Sequence, residues 1–263
     1  HGLVSVIVLS GADRTGEVTQ QAANVESGIV DIALGLRGGE PQRFPGSSLI
    51  EVPLAVKDAL QGSRVLWQLH QEGVLASEYA KFKLLALFVH NPGIVHTVSK
   101  RVERPEDMKG LRLRVPDRPA EIALSRLGAV PRVLQVNDVM PAVRSGAIDG
   151  VVTNWGTPLP GFYQPLHHHT AVPFYSAAFF IVMNKARFAA LPASVRKAIE
   201  ALSGPQFVDS IARSWNRWDG TGMAQASAAG QEIIRSSSTD MDRWRSALLP
   251  AVDQYVDELS ASY

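Results

Sequence analysis

The sequence lacks cysteine, contains few aromatic residues and carries almost no net charge. None of its 263 residues is Cys, 7% are Phe, Trp or Tyr, and 26 Lys and Arg stand against 25 Asp and Glu. The absence of Cys excludes disulfides, thiolate metal sites and a Cys nucleophile. Balanced charge without blocks of one sign argues against nucleic acid or an anionic membrane as a partner, since both require many cations on one face.

Long hydrophobic runs are also missing. The longest apolar stretch, residues 171–183, is interrupted by Pro173 and Ser176, and it is shorter than the roughly 20 residues that span a bilayer. The chain starts at His1, and no basic segment followed by an apolar run and a small-residue cleavage site can be identified there. We therefore expect a soluble protein with one large domain or two lobes and no membrane insertion.

The common catalytic and cofactor motifs are absent as well. The sequence contains no GxxxxGK[ST], GxGxxG, HExxH or GxSxG pattern, which weighs against an enzyme. Three consecutive histidines, His167, His168 and His169, suggest a metal site. Consecutive residues on a regular element point in different directions, however, so we predict a surface loop there, and neither a metal nor a cofactor.

Segments typical of strands and helices alternate along the chain. Residues 4–9 are apolar and β-branched, which predicts a strand near the first residue. Between residues 105 and 153, short strands and helices alternate at the spacing of parallel strands joined by crossover helices. Residues 205–236 and 240–260 carry apolar side chains at every third or fourth position and predict long helices. The predicted fold class is α/β.

Two arginines lie within one of these predicted strands. In residues 110–116, GLRLRVP, strand alternation places Arg112 and Arg114 on the face opposite to the leucines. An arginine at the carboxyl end of a strand in an α/β sheet lies where ligands collect, and its guanidinium matches a carboxylate bidentately. A salt bridge or an arginine extended along apolar surface explains the pattern equally well.

A second polar group ends the strand predicted for residues 148–153. The segment GAIDGVVTNW closes with Thr153, Asn154 and Trp155. A hydroxyl, an amide and a large aromatic ring together can hydrogen-bond and stack on a small organic molecule. By itself this signal is weak.

Several segments, taken in order, carry a resemblance to a known family. They are VESGIVDIALG (25–35), FPGSSLIEVPL (44–54), RPEDMKGLRLRVP (104–116), LGAVP (127–131), SGAIDG (145–150), FYQPL (162–166) and VMNKARFAALP (182–192). Their order and spacing resemble the solute-binding proteins of tripartite ATP-independent periplasmic (TRAP) transporters, the DctP family. Family members carry an additional strand and helix before the segment that matches residues 2–9, so we expect both to be missing here.

The resemblance implies a two-lobe periplasmic binding protein fold with hinge strands and a long bracing helix. Lobe I would hold residues 1–91 and 179–218, and lobe II residues 92–178 and 219–263. It further implies a periplasmic receptor, not an enzyme, that closes an interlobe cleft on a small organic acid and delivers it to TRAP membrane subunits. Both a monomer and a homodimer are compatible with the sequence.

The resemblance also assigns roles to single residues. Arg114 matches the arginine that clamps the ligand carboxylate. The family's asparagine falls on Thr153 or Asn154, because the register differs by one residue, and we favour Asn154 for its amide. Where some members have a second arginine, near residues 93–97, this chain has Ile94, Val95 and His96. We therefore expect a monocarboxylate, to which His96 could still donate a hydrogen bond.

Aromatic residues and one further arginine complete the expected site. Trp155, Phe174 and Tyr175 fall where the opposite edge of the cleft would lie, and an aromatic wall suits a planar or apolar acid. Ordinary core packing explains each of these three residues about as well. Arg37 is a candidate contact from the other lobe, although a surface arginine is the favoured interpretation.

Two other functions stay open at this point. One is an enzyme that acts on a small acid, with Asp149, His96 or His167 as the base. The other is a ligand-binding input domain of a sensor protein, which the same cleft could serve.

Overall fold

The computed structural model describes residues 4–9, 18–134, 136–156 and 164–261. Contacts within the chain divide it into two compact units. Unit 1 comprises the described residues up to Ile50, together with Leu60–Val89 and Ala177–Arg213. Unit 2 comprises Glu51–Ala59, His90–Ser176 and the described residues from Ser214 onward.

Helices and strands alternate in both units, and the predicted α/β class is confirmed. In chain order they are α1 (Gln21–Glu26), β1 (Ile32–Leu36), α2 (Ala59–Gln71), α3 (Ala76–Tyr79), β2 (Phe82–Val89), β3 (Gly93–Thr97), β4 (Arg112–Val115), α4 (Arg118–Arg126), β5 (Val130–Val133), α5 (Val136–Arg144), β6 (Gly150–Thr153), β7 (His168–Tyr175), β8 (Ala178–Asn184), α6 (Lys185–Ala190), α7 (Ala193–Leu202), α8 (Pro205–Ala228), β9 (Glu232–Ile234) and α9 (Ser238–Ser260).

Unit 1 contains a three-stranded sheet in the order β1, β8, β2, with both neighbouring pairs antiparallel. The last five residues of β2 are all buried, which is how a continuous apolar run behaves when both faces of its strand are covered. Phe44 packs against Tyr79 and Phe180, with ring centroids 4.9 Å and 4.7 Å apart. These rings form part of the core of unit 1.

Unit 2 contains a six-stranded sheet in the order β5, β4, β6, β3, β7, β9. Strand β4 runs parallel to both β5 and β6, as the alternation of strands and helices predicts, whereas β3 is antiparallel to β6 and β7. Val139 and Val143 of α5 pack on Val151 of β6, because an amphipathic helix must bury its apolar stripe. Trp244 of α9 meets Phe174 of β7 edge to face at 5.5 Å.

Helix α8 is 24 residues long and belongs to unit 1 up to Arg213 and to unit 2 from Ser214. The helix predicted to continue to residue 236 is wrong beyond Ala228. Gly230 has a φ of +74°, the left-handed conformation that commonly ends helices, and β9 then pairs with β7 in parallel. In the described part of the chain, no helix has both the length and the hydropathy of a bilayer span.

Two further expectations need correction. Residues 4–9 form no strand and are exposed, with Val8 86% accessible, because no described strand pairs with their backbone groups and an unpaired apolar run has no ladder to join. Glu51–Ala59, assigned by sequence to lobe I, lies in unit 2. Hydrogen bonds hold it there, from Leu54 N to Pro173 O (3.2 Å) and from Ala59 N to Asn91 Oδ1 (2.9 Å).

Candidate functional site

Strand β4 directs its two arginines to one face of the sheet of unit 2. Leu113 and Val115, on the opposite face, are fully buried, whereas Arg112 and Arg114 are half-buried. Arg114 lies in register with Val151 of the parallel strand β6. Alternation then places Thr153 on the same face, at the carboxyl end of β6. The structure therefore brings together the carboxyl ends of the two strands that the sequence singled out.

Arg112 is paired inside the protein. Its Nε and Nη2 donate to the two carboxylate oxygens of Asp149 at 3.0 Å and 2.6 Å, and its backbone N–H donates to Oδ2 at 2.8 Å. The hydrogen bond from the Arg112 side chain lowers the pKa of Asp149 and correspondingly raises that of Arg112. Asp149 is thus a held, ionised carboxylate, which does not suit the role of base in the enzyme alternative.

Arg114 has a different environment. Its Nε donates to the carbonyl oxygen of Leu134 at 3.0 Å, and no carboxylate of the described residues forms an ion pair with its guanidinium. Its positive charge acts on His90 and Tyr175, where it opposes protonation of the imidazole and favours ionisation of the phenol. The arginine that sequence placed at the ligand carboxylate is therefore a half-buried cation held by a neutral group.

Tyr175 and His90 form the neutral surroundings of this cation. Burial raises the pKa of Tyr175 to about 12 and lowers that of His90 to about 4. The Tyr175 hydroxyl is hydrogen-bonded to the side chain of Thr153, and the His90 ring meets Tyr175 edge-on at 5.2 Å and Trp215 at 5.8 Å. Both titratable groups are consequently neutral at pH 7.

Asn154, the favoured candidate for the family's asparagine, is bound to an aspartate of α8. Its Nδ2 donates to Asp219 Oδ1 at 2.9 Å, and Trp155 N donates to Oδ2 at 3.3 Å. The backbone N–H of Gly156 and the side chain of Asn91 also donate to this carboxylate. Asp219 is only 7% exposed, and burial raises its pKa to about 6 although the donors oppose the shift.

The sequence analysis missed Asp219, His90, Asn91 and Trp215. A signal existed for two of them. Trp215 and Asp219 are four residues apart in α8 and so share one helix face, and a carboxylate on the same face as a large aromatic ring is unusual enough to mark a buried polar contact.

Phe174 and Trp155, expected in an aromatic wall of the site, are both buried, and their contact with a ligand stays a prediction. Phe174 is fully buried against Trp244, and Trp155 is 6% exposed, packed among Ile94, Ala226 and two histidines. Core packing, the alternative left open for both, describes them. Tyr175 follows Phe174 in β7 and faces the opposite side of the sheet, because neighbouring residues of a strand alternate. Its hydroxyl is hydrogen-bonded to Thr153.

His96 is fully buried and both of its ring nitrogens are engaged. Nε2 donates to the carbonyl oxygen of Thr153 at 3.0 Å, and Nδ1 is hydrogen-bonded to Nδ1 of His169, 2.7 Å away. Burial lowers the pKa of His96 to about 3 and that of His169 to about 4. Both ring nitrogens of His96 are thus engaged within the protein, and its contact with a ligand stays a prediction.

The histidine run is not a surface loop. His168 and His169 belong to β7, where His169 is buried and His168 Nδ1 lies 2.9 Å from Glu232 Oε2. His167 precedes the strand and is exposed. Among the residues that the structure describes, no three His, Asp or Glu side chains are placed to hold a metal ion.

Arg37 lies in unit 1, in a short 3₁₀ turn after β1, and is only 4% exposed. The favoured interpretation of a surface arginine is therefore wrong, since Arg37 is buried. Its contact with a ligand stays a prediction.

A family model and several known proteins are similar to this chain. The family model "Bacterial extracellular solute-binding protein, family 7" (DctP) matches residues 2–258. A solute-binding protein of Verminephrobacter eiseniae is 26% identical over 256 residues, which cover 93% of this chain and 72% of the relative. The C4-dicarboxylate-binding periplasmic protein DctP of Rhodobacter capsulatus is 24% identical over 60% of this chain and 48% of its own length.

Two crystal structures are similar over most of the chain. A TRAP solute-binding protein from Rhodoferax ferrireducens, in complex with copurified benzoate, has a TM-score of 0.86 at 28% identity and covers 94% of this chain and 78% of its own. A marine metagenome TRAP solute-binding protein specific for aromatic acid ligands, in complex with metahydroxyphenylacetate, has a TM-score of 0.85 at 28% identity, with coverage of 92% and 78%.

Proposed function

This chain belongs to the bacterial extracellular solute-binding proteins of family 7, and we propose that it binds an aromatic or otherwise apolar monocarboxylate through Arg114. The family consists of extracytoplasmic receptors for TRAP transporters rather than enzymes, and its members take up small organic acids. The class of acid and the residues that hold it are our proposal for this chain.

The state of Arg114 is the observation that carries the proposal. A half-buried guanidinium that gives one hydrogen bond to a carbonyl, and pairs with no described carboxylate, still has donors and charge to offer an anion. A carboxylate fits the planar fork of an arginine bidentately, and partial burial strengthens that bond. Arg114 is also at the carboxyl end of a parallel strand, where α/β sheets collect ligands.

The neutral surroundings of Arg114 support a single carboxylate. His90 carries no charge at pH 7, and Ile94, Val95 and His96 stand where some family members place a second arginine. Arg132, the register partner of Arg114 on β5, is exposed, so solvent and salt screen its charge. A second carboxylate on the ligand would therefore lose its hydration without gaining a buried cationic partner.

Aromatic side chains next to Arg114 support an apolar ligand body. Tyr175, His90 and Trp215 follow one another in ring contact, and rings of this kind offer flat apolar surface with specific stacking geometry. The two structures similar at 28% identity hold benzoate and metahydroxyphenylacetate, which are aromatic monocarboxylates. An aromatic acid thus suits both the charge and the lining.

A ligand panel tests the proposal. Protein that has been unfolded, dialysed and refolded is titrated calorimetrically with benzoate, phenylacetate, succinate and benzyl alcohol, and its thermal unfolding is followed with each. We expect one equivalent of benzoate or phenylacetate to bind and to raise the melting temperature, because only the folded state binds. Succinate and benzyl alcohol should bind far more weakly.

The same panel applied to Arg114→Ala completes the test, since that variant should bind none of the acids measurably. Recovery of unchanged benzoate after incubation would agree with a receptor. Binding of succinate in preference to both aromatic acids, or unchanged affinity in Arg114→Ala, would contradict the proposal.

A further inference from the structure

We propose that Asp219 is a positioning residue for carboxylate binding, which holds the Asn154 amide and the turn after β6 in their binding geometry from helix α8. The inference rests on the proposed function, because it assigns Asn154 to the same ligand as Arg114. It adds a residue from a different element, 65 positions along the chain from Asn154.

The contacts of Asp219 converge on one turn. Asn154 Nδ2, Trp155 N and Gly156 N are donors from three consecutive residues, and all three donate to this one carboxylate. The side chain of Asn91 donates as well and accepts Ala59 N through its Oδ1 at 2.9 Å. One aspartate therefore fixes the backbone and the side chain with which β6 continues into its loop.

The carboxylate also decides which way the Asn154 amide faces. The pKa of Asp219 is about 6, so the group is mainly ionised at pH 7 and accepts hydrogen bonds without donating any. Only the Nδ2 end of the amide can therefore face Asp219. The amide is therefore held in one orientation by its hydrogen bond to Asp219, and the proposal assigns this orientation to the binding of the ligand carboxylate.

Two glycines allow the helix to approach this closely. A Cβ at Gly156 would lie 2.7 Å from Asp219 Oδ1 and 3.0 Å from Asn154 Nδ2, and a Cβ at Gly222 would lie 2.4 Å from the carbonyl oxygen of Trp155. Real Cβ atoms essentially never approach so closely. The turn and the helix thus meet with no side chain between them, and the carboxylate of Asp219 joins them.

A contact that served folding alone would not require this chemistry. Burying a carboxylate is costly, and replacing buried ionic contacts with apolar packing is often neutral or stabilising, whereas polar contacts can enforce one arrangement. At the end of β6 the one arrangement enforced is the orientation of the Asn154 amide. A positioning role accounts for a buried anion there.

The test uses benzoate as the probe and a double-mutant cycle. In Asp219→Asn, an amide N–H group replaces one acceptor oxygen opposite N–H donors, so we expect Kd for benzoate to rise about tenfold. Asn154→Ala should raise Kd to a similar extent, and the double variant should bind as Asn154→Ala does. Asp209→Asn is the matched control, because it changes an aspartate of the same helix that pairs with Arg64 in unit 1.

Additive effects of the two substitutions, or a folded Asp219→Asn with Kd within about twofold of wild type, would overturn the assignment. If Asp219→Asn does not fold, Gly156→Ala takes its place, since the added methyl group displaces the Asp219–Asn154 pair while both side chains remain. If Arg114→Ala loses benzoate binding but Asp219→Asn keeps the wild-type Kd, the role of Asp219 is overturned and the proposed function stands. A wild-type protein that binds no acid overturns the proposed function and the inference together.

Discussion

Polar side chains of the sheet of unit 2 differ in whether they are paired with another side chain of the described residues. Arg112 with Asp149, and His96 with His169, are closed pairs that satisfy each other inside the protein. At the carboxyl ends of β4 and β6, by contrast, Arg114 is bound to a carbonyl and to no described acid. Arg112 and Arg114 are two residues apart on one strand and share one face, so residue type and strand position alone do not separate them.

The difference between them is the acid within reach. Asp149 immediately precedes β6 and meets Arg112 with both carboxylate oxygens, whereas β6 ends beside Arg114 in a hydroxyl and an amide. Asp219, whose charge also acts on Tyr175, is already held by Asn154, Trp155, Gly156 and Asn91. Binding capacity in this sheet therefore follows from which cation the fold leaves without an anion.

Replacing each arginine in turn tests most directly whether Arg114 and Arg112 have different roles. Arg114→Ala should weaken benzoate binding by about 2 to 5 kcal/mol, because it leaves the ligand carboxylate buried without a cation. Arg112→Ala should leave Kd within about twofold of wild type and lower the melting temperature, because Asp149 loses its partner. Calorimetry and thermal unfolding of both variants measure the two effects. A loss of affinity in Arg112→Ala equal to that in Arg114→Ala would remove the distinction.

The buried pair of His96 and His169 should make the protein less stable at acid pH. The pKa of His169 is about 4 in the folded protein, below its unfolded value of 6.5, so the unfolded state binds the proton first and stability falls as pH drops from 6.5. Between pH 7 and 4.5 this amounts to about 2 kcal/mol. Urea unfolding of His169→Asn, whose amide can still donate to His96, should show a smaller loss. A wild-type slope in His169→Asn would contradict the pair.

Asp219 should change the stability of the protein with pH in the opposite direction. Its pKa is about 6 in the folded protein against 3.8 for the ordinary carboxyl, so the folded state binds the proton first and the contribution to stability is lost as pH rises through 6. Wild type should therefore lose about 1.4 kcal/mol relative to Asp219→Asn between pH 5 and 8. Urea unfolding at four pH values in that range measures the difference. A constant difference between the two proteins would show that Asp219 does not titrate there.

The hydroxyls of Thr153 and Tyr175 form a pair on which the charge of Arg114 acts. Breaking this pair should change the stability of the protein least. Tyr175→Phe or Thr153→Val should each cost about 1 kcal/mol of stability, because the remaining hydroxyl loses this partner in a buried site. The double variant should cost less than the sum of the two. Chemical unfolding of the three variants provides the cycle, and strict additivity would show that the two hydroxyls do not interact.

Much of the fold around Arg114 could be predicted from sequence, because it depends on local periodicity. Alternation in GLRLRVP placed both arginines on one face, and the strand and helix spacing indicated that β4 and β6 run parallel. Which of the two arginines is paired with an acid could not be predicted. It depends on register between strands nearly forty residues apart, and a one-residue shift would bring a different side chain beside each arginine.

Other errors have simpler physical causes. Phe174 and Tyr175 are adjacent in β7 and so face opposite sides of the sheet, and of the two it is Tyr175 that is hydrogen-bonded to Thr153. Asp219 could not be placed, since helical periodicity shows that α8 has a buried face but not which loop packs against it. Residues 4–9 show that β propensity without a partner strand does not produce a strand.

Trp215 has a consequence for how ligand occupancy can be observed. Its indole ring centroid lies 5.8 Å from that of His90 and 5.1 Å from that of Trp218, and a Cβ placed on Gly156 would lie 3.2 Å from the indole. A planar acid stacked beside His90 would change the polarity and the quenching groups that this indole experiences. The native emission spectrum then reports the loaded state without any added dye, and a Trp215→Phe variant identifies its share of the signal.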